Sequence, residues 1–180
     1  MGNATTLVNE ENSQMVLTYD SSGQASAVQN PLGNITQYDR DNLGRITTVT
    51  NPLTFTQRYS FTNDSCLASH ENGNAKKTLY AFNDKHQLTE VKDPLTHTNQ
   101  FTYDSRGNYT QFTNGANEST SFEYDKASRK TKSVNPLSLT TGYTYDKVNN
   151  PLTVTNPESE TSETIYDKAY RGNTTINPLT

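Results

Sequence analysis

One heptapeptide, Phe101-Thr102-Tyr103-Asp104-Ser105-Arg106-Gly107, returns in degraded copies every 21 residues along the whole chain. A strict short period restricts a chain to stacked copies of one small unit, each burying its apolar face mainly against its neighbours. With Asp104 as reference, the equivalent positions are Asp20, Asp41, Thr62, Asn83, Asp125, Asp146 and Asp167, with no insertion between them. The preceding residue is aromatic at Tyr19, Phe61, Phe82, Tyr103, Tyr124, Tyr145 and Tyr166, and is Arg40 once. Two residues earlier stand Tyr38, Tyr59, Tyr80, Phe101, Phe122 and Tyr143.

A second signal runs in phase with the first: Asn30-Pro31-Leu32-Gly33, Asn51-Pro52-Leu53, Asp93-Pro94-Leu95, Asn135-Pro136-Leu137, Asn156-Pro157 and Asn177-Pro178-Leu179. Between the two lie β-branched alternating runs such as Ile46-Thr47-Thr48-Val49-Thr50, the mark of a strand. Each unit therefore reads as two strands and two turns. The first turn starts at the Asp and is eased by Gly23, Gly44 and Gly107, which accept a positive φ. In the second, the proline slot holds Gly73 and Gly115 after Asn72 and Asn114, and Asn-Gly predicts the two-residue hairpin turn. Thr62-Asn63-Asp64-Ser65 and Asn83-Asp84-Lys85-His86 lack the glycine, which predicts locally altered turns. Pro151 falls at the start of its strand, where the ladder tolerates it.

The combination Tyr-x-Tyr-Asp-x-x-Gly-Arg, a β-rich run, and Asn/Asp-Pro-Leu-Gly resembles the YD repeat of the RHS repeat family, over the whole chain. That family includes bacterial RHS and wall-associated proteins, polymorphic-toxin carriers, cage subunits of insecticidal toxin complexes and the teneurins. The resemblance implies an all-β fold: tandem 21-residue hairpins in a curled or spiral antiparallel sheet, an open-ended shell segment. About 17 strands at 4.8 Å make a ribbon roughly 80 Å wide, which closes at most to a tube about 25 Å across. Residues 1–180 are expected to form a single array of about eight and a half repeats. Gly2 and Thr180 both fall within a repeat, so the expectation is an array uncapped at both ends, either a piece of a longer one or a short open reading frame derived from one.

Composition alone, with 30% apolar residues, no Trp and a mean hydropathy of −0.89, suggests disorder. Thirteen of the seventeen aromatic residues occupying two slots of a 21-residue frame overrule it. A net charge of −4 with both signs scattered excludes a basic nucleic-acid surface, and no apolar run is long enough to span a membrane as a helix. One cysteine excludes an internal disulfide framework. Met1-Gly2-Asn3-Ala4-Thr5-Thr6 fits the loose N-myristoylation pattern, but Gly2 lies one period before Gly23 and the repeat accounts for it. No signal peptide is legible, so export would depend on the parent protein.

The repeated Tyr-Asp pair reads as turn chemistry, because eight identical catalytic sites in a row have no rationale. Cys66 and His70, with His86 and His97, form the only cluster with metal or nucleophile potential. Residues four apart on a strand stand about 13 Å apart, too far to share one zinc ion. Cys66 fills the slot of Arg45 and Arg129, so drift of a repeat position is the reading; no metal and no cofactor are expected. Asp93-Pro94-Leu95-Thr96 is superficially similar to the self-cleavage segment of toxin-carrying relatives, yet occupies an ordinary turn slot, and no protease is carried over. The expected site residues are therefore structural. The aromatic ladder comprises Tyr19, Tyr38, Tyr59, Phe61, Tyr80, Phe82, Phe101, Tyr103, Phe122, Tyr124, Tyr143, Tyr145 and Tyr166. The turn set comprises Asp20, Gly23, Pro31, Asp41, Gly44, Pro52, Gly73, Pro94, Asp104, Gly107, Gly115, Asp125, Pro136, Asp146, Pro157, Asp167 and Pro178.

These features imply a passive, non-enzymatic shell segment of a secreted or cell-surface protein, whose partners are the rest of a longer shell or an enclosed polypeptide such as a toxin domain. A carbohydrate-binding repeat surface is the alternative, since spaced aromatics suit sugar rings. Self-assembly through open strand edges is a further one.

Overall fold

The computed structural model describes residues 3–8, 10, 13–167 and 172–176. Gly2, Asn177, Pro178 and Leu179 lie outside them, with the expectations attached to them. Every regular element is a β-strand. By internal contacts the chain divides into two units, residues 1–96 and 97–180. The first holds β1 (Ala4–Val8), β2 (Gln14–Tyr19), β3 (Ala25–Gln29), β4 (Ile35–Arg40), β5 (Ile46–Thr50), β6 (Thr56–Phe61), β7 (Leu67–Glu71), β8 (Lys77–Phe82) and β9 (Leu88–Lys92). The second holds β10 (Thr98–Tyr103), β11 (Tyr109–Thr113), β12 (Ser119–Tyr124), β13 (Lys130–Val134), β14 (Thr140–Tyr145), β15 (Pro151–Thr155), β16 (Thr161–Tyr166) and β17 (Gly172–Ile176). Within each unit every strand pairs antiparallel with the next in sequence, an uninterrupted meander.

Six-residue and five-residue strands alternate, and the two hairpins of a repeat differ. Across the Asp turn the register steps by one residue: Asp39 faces Thr48, but Arg40 faces Ile46, so one residue of the shorter strand bulges out. The same step recurs at Thr102/Tyr103, Glu123/Tyr124 and Thr144/Tyr145. Across the Asn-Pro turn three pairs form, as in Thr48–Arg58, Val49–Gln57 and Thr50–Thr56, whereas five join β1 to β2. That ladder ends early, and the bulge is where it ends.

All fourteen described turns share one backbone form. In each, the first residue's carbonyl accepts from the N–H three residues on, and in at least thirteen its N–H also donates to the carbonyl four residues on, as in Asp41–Gly44 (2.9 Å) and Asp41–Arg45 (3.0 Å). The residue at the fourth position has a positive φ each time: Gly23, Gly33, Gly44 and Gly107, but also Thr54, Ser65, Ala75, His86, Thr96, Asn117, Ser128, Ser138, Asn149 and Ser159. Two sequence expectations are corrected by this geometry. The turns at Thr62 and Asn83 are not altered by loss of glycine; Ser65 (φ 65°) and His86 (φ 58°) take its conformation. Asn72-Gly73 and Asn114-Gly115 are not two-residue turns either, because Ala75 and Asn117 carry the positive φ.

Glycine at 73 and 115 answers a need for space. A Cβ on Gly73 would lie 3.0 Å from Cβ of Phe55, and one on Gly115 would lie 2.7 Å from Cβ of His97. Phe55 and His97 end the preceding Asn/Asp-Pro turns, and each overlies the turn that follows.

Hydrophobic burial is shallow. No apolar residue among those described is fully buried, and Ser69 is the one buried polar residue. Tyr38 faces Val49 and Tyr80 faces Val91 in the first unit, and Phe101 faces Phe112 and Tyr143 faces Val154 in the second, so in each unit aromatic and β-branched residues share one face of the sheet. The opposite face is hydroxyl-rich. Ser60–Ser69 (2.6 Å), Thr113–Ser119 (2.8 Å), Thr144–Thr153 (2.7 Å) and Thr155–Thr161 (2.8 Å) bridge adjacent strands there. Glu123–Lys132 and Arg58–Glu71 form cross-strand ion pairs among them.

Candidate functional site

The aromatic face and the two turn edges hold the described residues of the ladder and of the turn set. All thirteen ladder aromatics are half-buried. In the second unit the rings meet at an angle: Phe101–Phe112 at 5.5 Å, Tyr103–Tyr109 at 5.8 Å and Tyr109–Phe122 at 5.4 Å, tilted by 34–56°. Lys130 sets its ammonium over Tyr143 (4.3 Å) and Phe122 (5.8 Å). Burial raises the Tyr109 hydroxyl pKa, whereas a hydrogen bond with Ser133, and then Lys130, lowers that of Tyr143.

The second aromatic slot closes the gap left by the short ladder. Tyr124, Tyr145 and Tyr166 each donate a hydroxyl hydrogen bond to the carbonyl fifteen residues back, at Tyr109 (2.7 Å), Lys130 (2.8 Å) and Pro151 (2.7 Å). Those carbonyls belong to the first residues of β11, β13 and β15, where pairing with the following strand has already ceased. Arg40, the sequence exception, does the same: its Nη2 donates to Ala25, also fifteen residues back, at 3.2 Å. Its Nη1 donates to Gly44, while its buried Nε has no partner. One slot thus performs one task with two chemistries.

At the Asp turn edge, the first residue's Oδ1 accepts two backbone N–H groups, as Asp41 does from Leu43 and Arg45 (both 3.0 Å). Asn does this equally in the second turn, as Asn51 does from Leu53 and Phe55. Both turns are thus one device, repeated every ten or eleven residues, and the alternation of Asp or Asn at 20, 30, 41, 51 and onward was the missed signal. Arg45 pairs with Asp41 (2.6 Å), stacks on Phe61 (4.6 Å) and donates to the Thr62 carbonyl and to Ser65 Oγ. Arg129 repeats this with Asp125, Tyr145, Asp146 and Asn149. Each arginine therefore ties two consecutive Asp turns together. The Arg45 side chain draws the Asp41 carboxyl below its usual range; Asn108 does so for Asp104, and Arg129, first through its backbone N–H, for Asp125.

Cys66 and the histidines do not gather into one cluster. His70 stacks flat on Tyr59 (4.9 Å, 14°), and Gln57 joins both by hydrogen bonds. Cys66 instead meets His86, with Sγ 3.6 Å from Nδ1. No group of three or more potential metal ligands occurs among the described residues. Among the described residues no helix is long and apolar enough to cross a membrane. A polar groove lies between the turns at Asp20 and Asp41, lined by Gln24, Ser26, Tyr38, Asp39 and Arg40, and an apolar one lies on the aromatic face among Ile46, Val49, Tyr59, Phe61 and Leu67.

Hairpins repeated in series, with one aromatic face in each unit and stapled turn to turn, define a tandem β-hairpin repeat protein. Residues 19–56 match the family described as RHS Repeat, the family that the sequence resembles. The fold matches those of toxin-complex proteins. The crystal structure of TcdB2-TccC3-Cdc42 superposes with a TM-score of 0.64 at 16% identity, covering 97% of this chain. TcdB2-TccC3 without its hypervariable C-terminal region gives 0.64 at 14%, also over 97%. The Photorhabdus luminescens Tc holotoxin pore with a mutated TccC3 gives 0.60 at 16% over 97%. The chain spans 11–12% of the length of those chains. No curated protein matches by sequence.

Proposed function

We propose that this chain is a passive wall segment of an RHS-type shell, part of a single continuous array that encloses or displays a polypeptide cargo such as a toxin domain. The observation that carries the reading is the use made of the aromatic slots. In Tyr124, Tyr145 and Tyr166 the hydroxyl is spent on a neighbouring strand's carbonyl, so the ladder serves cohesion and offers no converging set of reactive groups. The fold shared with TcdB2-TccC3 structures supports it. By this reading the chain is not an enzyme, takes no cofactor, and reaches the cell surface or the medium through its parent. Its partners are further repeats and the enclosed chain.

A carbohydrate-binding surface is the second reading, favoured by the flat Tyr59–His70 stack with Gln57 beside it. Screening the purified chain against a glycan panel, alongside digestion with a broad-specificity protease, separates the two. A wall resists cleavage at its rigid turns and binds no glycan. Glycan binding that is lost in Tyr59→Ala while the fold persists would overturn the wall reading. Strand-edge self-assembly, a further alternative, would appear as concentration-dependent growth in mass.

A further inference from the structure

We propose that Asn72-Gly73 is a self-modifying site: the folded turn converts the Asn72 amide to an acid through a succinimide ring, while Asn114-Gly115, the same dipeptide in the same turn, is protected. Charge develops on Oδ1 of Asn72 when its amide carbon is attacked, and that oxygen accepts the N–H groups of Asn74 (3.0 Å) and Lys76 (3.1 Å). Donors already aimed at such an oxygen stabilise the oxyanion. Asn30, Asn51 and Asn135 are held in the same way. Each of those is followed by proline, which has no N–H to become the nucleophile. Glycine at 73, required for space beside Phe55, restores the N–H and has no side chain to shield it.

Asn114 shares the oxyanion contacts, from Ala116 (2.9 Å) and Glu118 (3.0 Å), but its nucleophile and its leaving group are both engaged. The Gly115 N–H donates to Asn99 Oδ1 (3.1 Å), and Asn114 Nδ2 donates to Glu118 Oε2 (2.8 Å). At Asn72 the slots of Asn99 and Glu118 hold Gln57, whose side chain is bonded to Tyr59 and His70, and Lys76, which has no acceptor. In the reaction the Gly73 nitrogen gives its proton to hydroxide, and its electron pair forms a bond to Cγ of Asn72. The oxyanion collapses, the Cγ–Nδ2 bond breaks, and the nitrogen leaves as ammonia with a proton from water. One water then opens the ring at either carbonyl, giving aspartate or isoaspartate, and nothing is oxidised or reduced. Aspartate suits the turn, as Asp93 does in its own copy, whereas isoaspartate lengthens the main chain by one carbon.

Incubation of the folded full chain in mildly alkaline buffer, followed by peptide mapping by mass spectrometry, tests this. Asn72 is expected to convert faster than Asn114 by about fivefold or more, the factor imposed on a rate when one hydrogen bond must be given up. In denaturing urea the two rates should converge. Asn99→Ala, which frees the Gly115 N–H, should raise the rate at Asn114 and leave that at Asn72 unchanged, with the far-ultraviolet spectrum of the parent. Phe55→Asn/Gly73→Pro sets in this turn the pair the array uses at Asn34 and Pro52, and should abolish conversion at Asn72. Equal rates at the two sites in the folded chain, or conversion of Asn72 only in urea, would overturn the proposal.

Discussion

At the residue scale, the array tolerates strain that glycine at the fourth turn position would avoid. Ten non-glycine residues among those described hold a positive φ, a conformation costing an L-residue about 1–2 kcal/mol. Thr54 is β-branched and thus among the most strained (φ 67°). Thr54→Gly removes that strain but adds chain entropy to the unfolded state, and a net gain of about 0.5–1 kcal/mol is expected in equilibrium denaturation by urea. The glycines of the proline slot behave oppositely. Gly115→Ala, whose Cβ would press against His97, is expected to lose more stability than Gly73→Ala, whose Cβ meets Phe55 at a longer distance. Comparison of the two urea midpoints checks the order. That need for space was invisible in sequence, because Phe55 and Gly73 stand eighteen residues apart and touch only through the array.

At the element scale, the turns are held by carboxylates and amides that accept backbone N–H groups, so acid should loosen them unevenly. Asp41, Asp104 and Asp125 have folded-state pKa values below their ordinary 3.8. A depressed carboxylate contributes stability that is present above its unfolded pKa and lost as pH falls through the folded value. The urea midpoint is therefore expected to be flat from about pH 7 to 5 and to fall below about pH 4. Replacing all three by Asn, the residue that serves the same role at Asn51, should flatten that acid limb. The strands and their order were legible from periodicity and from β-branched runs. The identity of the two turns was not, because Asp-x-x-Gly and Asn-Pro-Leu-Gly look like different motifs; only the hydrogen bonds equate them.

At the scale of the whole molecule, stability comes from neighbours rather than from a centre. With no fully buried apolar side chain among the described residues, cohesion rests on half-buried rings, hydroxyl pairs and links between successive hairpins. The 21-residue period announced this architecture, since it outweighed a composition that by itself reads as disordered. Periodicity was silent on why the second aromatic slot is there: the bulge cuts the ladder short, and the slot's hydroxyl or guanidinium bridges the interval. Burial of the two rings does not need those hydroxyls, so Phe can replace Tyr124 and Tyr145 without loss of apolar contact. The most direct test of this account is equilibrium unfolding of Tyr124→Phe/Tyr145→Phe beside the parent chain. Loss of two inter-strand hydrogen bonds should lower stability by about 2 kcal/mol in total, with the far-ultraviolet spectrum unchanged. Unchanged stability would show that the hydroxyls are idle in the fold and would contradict the account.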